Sequence, residues 1–103
     1  MDKTLIYTDI LKETVRAAAA TQPRLQAIKL HSICDPESGH FLVLATGWDK
    51  QRRINTVLFH ARLVDQHIFI EEDNFEESLT QVLIAGGIKK EDIVAHLEPA
   101  LSS

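Results

Sequence analysis

The segment of residues 54–64 constrains the fold of this chain more than any other part of the sequence. It is rich in β-branched and large apolar residues, and its side chains fall into two sets that alternate with a period of two. One set is apolar throughout and consists of Val57, Phe59, Ala61 and Leu63. The other set is mixed and consists of Leu58, His60, Arg62 and Val64. A strand of this kind buries one side of a sheet beneath a helix and leaves the other side partly open to water, a partner or a ligand.

Turn-forming residues divide the neighbouring sequence into further strands. The predicted turns cover residues 35–39, 50–53 and 65–67, and the predicted strands cover residues 25–34, 40–46, 54–64 and 67–72. Because each connection is short, consecutive strands are expected to run antiparallel. The central part of the chain is therefore predicted to be a four-stranded antiparallel meander.

Helical spacing of apolar residues marks the amino-terminal segment. An amphipathic helix is predicted to begin at Asp2, its N-cap, and to end near Ala20, ahead of Pro23. Its apolar stripe consists of Tyr7, Ile10, Leu11, Val15 and Ala18. This stripe is expected to face the sheet.

A second helix is predicted after the last strand. Asp73 lies three residues ahead of Glu76, as in a capping box, so the helix is expected to start there. Gly86 and Gly87 favour the positive φ that ends a helix, and residues 89–94 are expected to add one more turn. Its apolar positions are Phe75, Leu79, Val82 and Leu83. The predicted fold is α+β, with an N-terminal and a C-terminal helix packed on one face of the sheet.

The overall composition favours one globular domain over residues 1–103, with 45% hydrophobic and 25% charged residues. A formal net charge of −4 provides no overall positive field to attract phosphate backbones. Cys34 is the single cysteine, which excludes an intramolecular disulfide and favours a reducing, cytoplasmic setting. We expect no membrane association, because the sequence has neither a signal-peptide pattern nor an apolar run of about 18 residues.

Five histidines raise the question of a metal site or of acid/base catalysis: His31, His40, His60, His67 and His96. None of them stands in HxH, HxxxH or HExxH spacing, so surface or sheet-filling roles are favoured and neither a metal nor a cofactor is expected. A small hydrolase built around His60 and Asp49 is a third hypothesis, for which the sequence supplies no activated nucleophile or oxyanion site. The chain is therefore expected not to be an enzyme and to have no catalytic residues.

Lys50, Arg52 and Arg53 form the basic cluster of the sequence, at a predicted hairpin tip beside Trp48. Aromatic and arginine side chains together can stack on bases, and they are also frequent in protein-binding hot spots. Three positive charges provide little affinity for nucleic acid on their own. Direct DNA binding through this tip is therefore kept as the alternative to protein binding.

A longer pattern surrounds the basic tip. It consists of Gly47-Trp48-Asp49, Arg52-Arg53, Val57-Leu58-Phe59-His60, Ile68-Phe69-Ile70, Asp73 with Glu76, and a closing stretch, residues 86–94, that contains KEDIV. In this pattern the sequence resembles the XisI family, the controlling factors for excision of the fdxN DNA element in cyanobacteria. The resemblance spans about residues 33–99, and GWD together with KEDIV is more specific than either motif alone.

The resemblance implies an accessory factor that controls the excision of a DNA element and acts by protein–protein contact without catalysis. The partner that it implies is an XisH-like protein, which itself resembles nucleases of the restriction-endonuclease fold. Self-association is a further option, and contact with DNA is expected to be indirect. The expected interaction residues are Trp48, Asp49, Arg52, Arg53, His60 and Arg62.

Overall fold

The computed structural model describes residues 3–20, 27–75 and 77–94. Helix α1 (Lys3–Ala19) is followed by strands β1 (Ile28–Asp35), β2 (His40–Asp49), β3 (Arg52–Val64) and β4 (His67–Asp73). Helix α2 (Leu79–Ala85), a 3₁₀ turn (Lys90–Asp92) and strand β5 (Ile93–Val94) complete the described chain. The predicted α+β class is confirmed.

The sheet has five strands in the order β1-β2-β3-β4-β5, so the prediction of four strands was one short. The first four strands form the predicted antiparallel meander, and β5 pairs parallel with β4 through Ile68↔Ile93 and Phe69↔Val94. Residues 89–94 therefore do not add a helical turn beyond the short 3₁₀ segment. Ile93 and Val94 are β-branched, and they cover part of the outer edge of β4, where backbone groups would otherwise be unpaired.

The hydrophobic core lies between the helices and one side of the sheet. Its buried side chains are Tyr7, Leu11, Val15, Ala18, Phe41, Val43, Phe59, Ala61, Ile68, Ile70, Leu79, Leu83 and Ile88. The predicted stripe of α1 is thus confirmed, with Ile10 half-buried at its margin. The predicted N-cap Asp2 and the predicted helix-ending Pro23 lie outside the described residues. None of the helices in the described ranges combines the length and apolar character that a membrane span requires.

A shift of pairing register in β3 corrects one sequence prediction. Phe59 pairs with Val43, whereas Val57 pairs with Leu44, so Leu58 is an extra residue in the ladder. Directly opposed residues share a face of the sheet, and such a bulge reverses the alternation beyond it. Val57 therefore lies on the side away from the helices, with Leu58, and not with Phe59 as the simple alternation predicts.

A second register shift, in β4, determines how α2 begins. His60 pairs with Glu72 and Ala61 pairs with Ile70, so Glu71 is the extra residue. As a result Asp73, opposite Phe59, lies on the helix side of the sheet.

Helix α2 begins later than predicted. The strand continues to Asp73, and the helix starts at Leu79 with Ser78 as its N-cap. The Asp73 carboxylate still accepts hydrogen bonds from Ser78 Oγ, Leu79 N, Thr80 N and Thr80 Oγ1. Asp73 therefore caps the helix from the end of a strand, not from within a capping box, and Glu76, the other half of that predicted box, lies outside the described residues. Gly86 ends the helix with φ −81°, so the predicted positive φ is wrong for Gly86 and is found at Gly87, with φ 122°.

Candidate functional site

The side of the sheet opposite the helices carries an apolar surface that no element of the described chain covers. We call this side the open face. It includes the side chains of Ile33, His40, Leu42, Leu44, Trp48, Arg53, Val57, Leu58, His60, Arg62 and Phe69, which alternate with the buried residues of the same strands. Trp48 is 51% exposed and Ile33 is 42% exposed. Accessible aromatic and aliphatic side chains of this kind are typical of surfaces that bind a partner.

Trp48 occupies the hairpin end of the open face, and Gly47 sets its position. Gly47 has φ 145°, and a Cβ atom there would lie 2.0 Å from the carbonyl oxygen of Ala27. Only glycine allows β1 to begin this close to β2, where Trp48 N donates a hydrogen bond to Ala27 O at 3.2 Å. Arg53 lies directly across the ladder, with Cζ 5.7 Å from the centroid of the Trp48 ring, a cation–π arrangement.

The hairpin tip divides the predicted interaction residues between two sides. Asp49 and Arg52 oppose each other one position beyond Trp48 and Arg53, so they lie on the other side of the ribbon. Lys50, in the two-residue turn, has φ 61°, and all three basic side chains are exposed. The basic cluster is therefore spread around the tip and does not form one stripe on the open face.

His60 lies further along the open face and contacts a second histidine. His40 Nδ1 and His60 Nε2 are 2.9 Å apart, and the two rings stack with centroids 5.2 Å apart. Burial and the nearby positive charge that His40 can carry lower the pKa of His60. One ring of such a pair must donate and the other must accept, so the bond requires at least one neutral imidazole.

Arg62 forms a contact with two neighbours on β4. Its Nε donates a hydrogen bond of 2.8 Å to Glu71 Oε2, and its Cζ lies 5.3 Å from the centroid of the Phe69 ring. The bulge at Glu71 brings this carboxylate within reach of the arginine. Arg62 is therefore held over an aromatic ring, as Arg53 is over Trp48, with a carboxylate fixing its direction.

The geometry does not bring His60 and Asp49 together. Asp49 pairs with Arg52, and His60 lies eight positions further along β3 on the opposite side of the ribbon. At a rise of about 3.3 Å per residue, the two are roughly 25 Å apart. The pair considered for a hydrolase is thus not a site. In the parts of the chain that the structure describes, no three His, Cys, Asp or Glu side chains are grouped to hold a metal ion.

A cleft of about 480 Å³ lies where β4 meets α2, and Glu71, Glu72 and Asp73 are among its lining residues. Its carboxylates already have partners: Asp73 caps α2, Glu71 binds Arg62, and Glu72 Oε1 accepts from Asn74 Nδ2 at 2.9 Å. The carboxylate of Asp73 also places negative charge at the start of α2, which the helix dipole favours.

The sequence did not identify three residues that contact the predicted interaction residues His60 and Arg62. These are His40, Phe69 and Glu71. The register of the β2–β3 hairpin carries the signal for His40, because Arg62 opposes His40 and His60 opposes Leu42, the next residue of β2 on the same face. Glu71 gave no such signal, since its position depends on a bulge.

The fold and the surface together define a small α+β protein with a helix-covered sheet whose other face combines apolar, aromatic and basic side chains. The sequence model described as XisI protein matches residues 1–102. This chain belongs to the XisI family.

Two solved structures share the fold. An XisI-like protein from Anabaena variabilis superposes with a TM-score of 0.85 at 22% identity, over 95% of this chain and 90% of that one. The fdxN element excision controlling factor XisI from Anabaena variabilis superposes with a TM-score of 0.74 at 23% identity, over 90% of this chain and 85% of that one.

Two curated proteins also match in sequence. Leukotriene-B4 omega-hydroxylase 3 from Mus musculus is 30% identical over 98 residues, and cytochrome P450 4F2 from Homo sapiens is 29% identical over 97 residues. These alignments cover 91% and 90% of this chain but only 18% of either hydroxylase. The chain thus spans less than a fifth of the length of these two proteins.

Proposed function

We propose that this chain is an accessory factor that controls the excision of a DNA element through protein–protein contact and without catalysis. Membership of the XisI family and the fold shared with an excision controlling factor support the regulatory role. The partner that we propose is an XisH-like protein, and the contact surface is the open face.

The observation that carries the proposal is the exposure of Trp48 beside Arg53. A tryptophan that is 51% exposed leaves much of its apolar ring in water, and the guanidinium of Arg53 lies over that ring, 5.7 Å from its centroid. Tryptophan and arginine are the residue types most enriched in binding hot spots. Arg62, held over Phe69, repeats the arrangement further along the same face.

Binding is tested by co-expressing the chain with an XisH-like protein and separating the species by size-exclusion chromatography. A mixed species is expected, and Trp48→Ala is expected to weaken its affinity by about tenfold or more. Val82→Ala is the matched control, since Val82 is 43% exposed but lies on α2, away from the open face. Independent elution of the two native proteins, or equal affinities for native chain and Trp48→Ala, would count against the proposal.

The regulatory role needs a separate measurement. In cells that carry an excisable element and its recombinase, amplification across the rejoined junction reports excision. Expression of the native chain is expected to change the yield of the junction product, and Trp48→Ala is expected to remove this effect. An unchanged yield with the native chain would leave partner binding in place and contradict excision control.

Direct DNA binding is the second candidate, favoured by the exposure of Lys50, Arg52 and Arg53 at the hairpin tip. It predicts a mobility shift of DNA from the ends of the element that weakens steeply with salt and is lost in Arg53→Ala. The net charge of −4 and the spread of these side chains around the tip favour the protein partner.

A further inference from the structure

Strand β1 is an outer strand of the sheet and leaves one backbone edge unpaired within the described residues. Its 8 residues include neither proline nor glycine, and Lys29 is its one cation. Proteins usually protect such an edge with a proline, a bulge or several charges, because it can pair with another strand. Apart from Lys29 near one end and Asp35 at the other, the edge of β1 has none of these protections.

The hydrogen bond from Trp48 N to Ala27 O shows which groups of β1 point outward. Along an antiparallel ladder, every second residue forms backbone hydrogen bonds to the neighbouring strand. The backbone N–H and C=O groups of Lys29, His31 and Ile33 therefore bond to β2. The N–H and C=O groups of the residues between them therefore point away from the sheet. These are Ile28, Leu30, Ser32 and Cys34.

We propose that two copies of this chain join β1 to β1, antiparallel, around a two-fold axis at Ser32. Each copy contributes five strands to one continuous sheet, and both open faces lie on the same side of it. This register places Lys29 opposite Asp35 of the second copy, and by symmetry Asp35 opposite Lys29 of the second copy. Both oppositely charged pairs form at once, which is the charge complementarity that identifies a second copy as the occupant of this edge.

The position of α1 agrees with this arrangement. Helix α1 packs on both β1 and β2, so it lies close to the β1 edge of the sheet. Two copies joined β1 to β1 would therefore bring their α1 helices to the same side of the new strand pair, next to each other.

One exposed apolar residue of α1 lies on the side that would face the second copy. Ile10, Glu13 and Ala17 line a groove shared with Val82 of α2, so they mark the flank of α1 that faces inward along the sheet. Leu5 lies on the opposite flank at 100° per residue and is 64% exposed. The dimer would cover this side chain. The proposal does not depend on the partner of the open face, since β1–β1 pairing leaves that face accessible.

A cysteine placed on the axis tests the arrangement directly. In the Cys34→Ala background, Ser32→Cys is expected to form an intermolecular disulfide under mild oxidation, because opposed residues at a bonded pair have Cα atoms about 5.5 Å apart. Asn55→Cys is the matched control, since Asn55 is exposed on the part of β3 that extends beyond β4. Equal cross-linking of the two variants, or none with Ser32→Cys, would overturn the proposed axis.

Light scattering tests the dimer and its register. The native chain is expected to have twice its 11.6 kDa mass, and Lys29→Glu is expected to shift it to the monomer. Asp35→Lys is expected to do the same, and an equimolar mixture of the two variants should regain the dimer, because every pair in the mixed species has opposite charges. A native monomer at all concentrations rejects the dimer. Single variants that stay dimeric, or a mixture that stays monomeric, reject the register. Circular dichroism checks the fold of Asp35→Lys, since Ser38 N also donates to Asp35 Oδ1.

Discussion

Tyr7 Oη donates a hydrogen bond of 2.5 Å to Asp92 Oδ2, which joins the first turns of α1 to the KED segment just before β5. Lys3 Nζ reaches the same oxygen at 2.8 Å, and Lys89 N donates to Tyr7 Oη at 3.3 Å. Both Tyr7 and Asp92 are buried. The two ends of the described chain are thus tied together by a polar contact inside an otherwise apolar layer, and burial together with the bond to Asp92 raises the pKa of Tyr7.

Removing the Tyr7 hydroxyl should destabilise the fold. Tyr7→Phe keeps the ring in the core but deletes a bond to a charged acceptor, so the free energy of unfolding is expected to fall by about 1 to 2 kcal/mol in urea denaturation. Glu91→Gln is the control, because Glu91 is exposed beside Asp92, and its effect should stay within about 0.5 kcal/mol. Equal decreases in the free energy of unfolding for Tyr7→Phe and Glu91→Gln would show that the hydrogen bond does not stabilise the fold.

Acid should weaken the same contact. The bonds from Lys3 and Tyr7 lower the pKa of Asp92 below its usual 3.8, so the unfolded chain takes up this proton at a higher pH than the folded chain does. The contribution of Asp92 is therefore complete above about pH 4 and is lost as the pH falls through the lowered pKa. Asp92→Asn should flatten the acid limb of a plot of unfolding free energy against pH. An acid limb of unchanged slope in that variant contradicts this assignment.

The histidine pair predicts a measurable titration. Since burial and the charge of His40 lower the pKa of His60, His40→Gln should move that pKa back toward 6.5, as followed by the imidazole proton signals in NMR. His31→Gln, on β1 and hydrogen-bonded to Thr46, should leave the titration of His60 unchanged. In the wild-type chain, His60 binds its proton at a higher pH in the unfolded state than in the folded state. The free energy of unfolding should therefore decline as the pH falls below about 6.5. A titration of His60 that does not respond to His40→Gln would contradict the pairing.

The unusual start of α2 can be tested at Asp73. Asp73→Ala removes the acceptor for Leu79 N and Thr80 N, and unfolding free energy should fall by about 0.5 to 2 kcal/mol, as for other helix caps. Asn74→Ala, at the exposed next position, should change it by less than about 0.5 kcal/mol. If Asp73→Ala and Asn74→Ala lower the free energy of unfolding equally, Ser78 alone is sufficient to cap the helix.

Prediction from sequence was most reliable where a pattern repeats. The stripe of Tyr7, Leu11 and Val15 predicted α1 and its buried side, because one period persists over several turns. The short connection at residues 65–66 likewise defined the turn between β3 and β4, where Asp65 and Gln66 have φ 51° and 66°. Prediction failed where one extra residue changes the face of a strand, as at Leu58 and Glu71, since a bulge has no fixed signature in composition.

The candidate surface was predicted in part. Trp48, Arg53, His60 and Arg62 do share one face, whereas Asp49 and Arg52 lie on the other side of the hairpin. Their role in binding stays a prediction that the variants above test. The partners of His60 and Arg62 could not be predicted, because both contacts depend on strand register.

The sequence by itself determined the class of fold, the strand order of the meander and the family, because hydrophobic periodicity, turn residues and motifs are local properties of the chain. The tertiary structure decided the fifth strand, the face on which Val57 lies, the start of α2 at Leu79 with Asp73 capping it from the end of β4, and the contact between Tyr7 and Asp92. Each of these depends on backbone hydrogen bonds or on side chains distant in the chain, and such pairings are selected by the packing of the whole core.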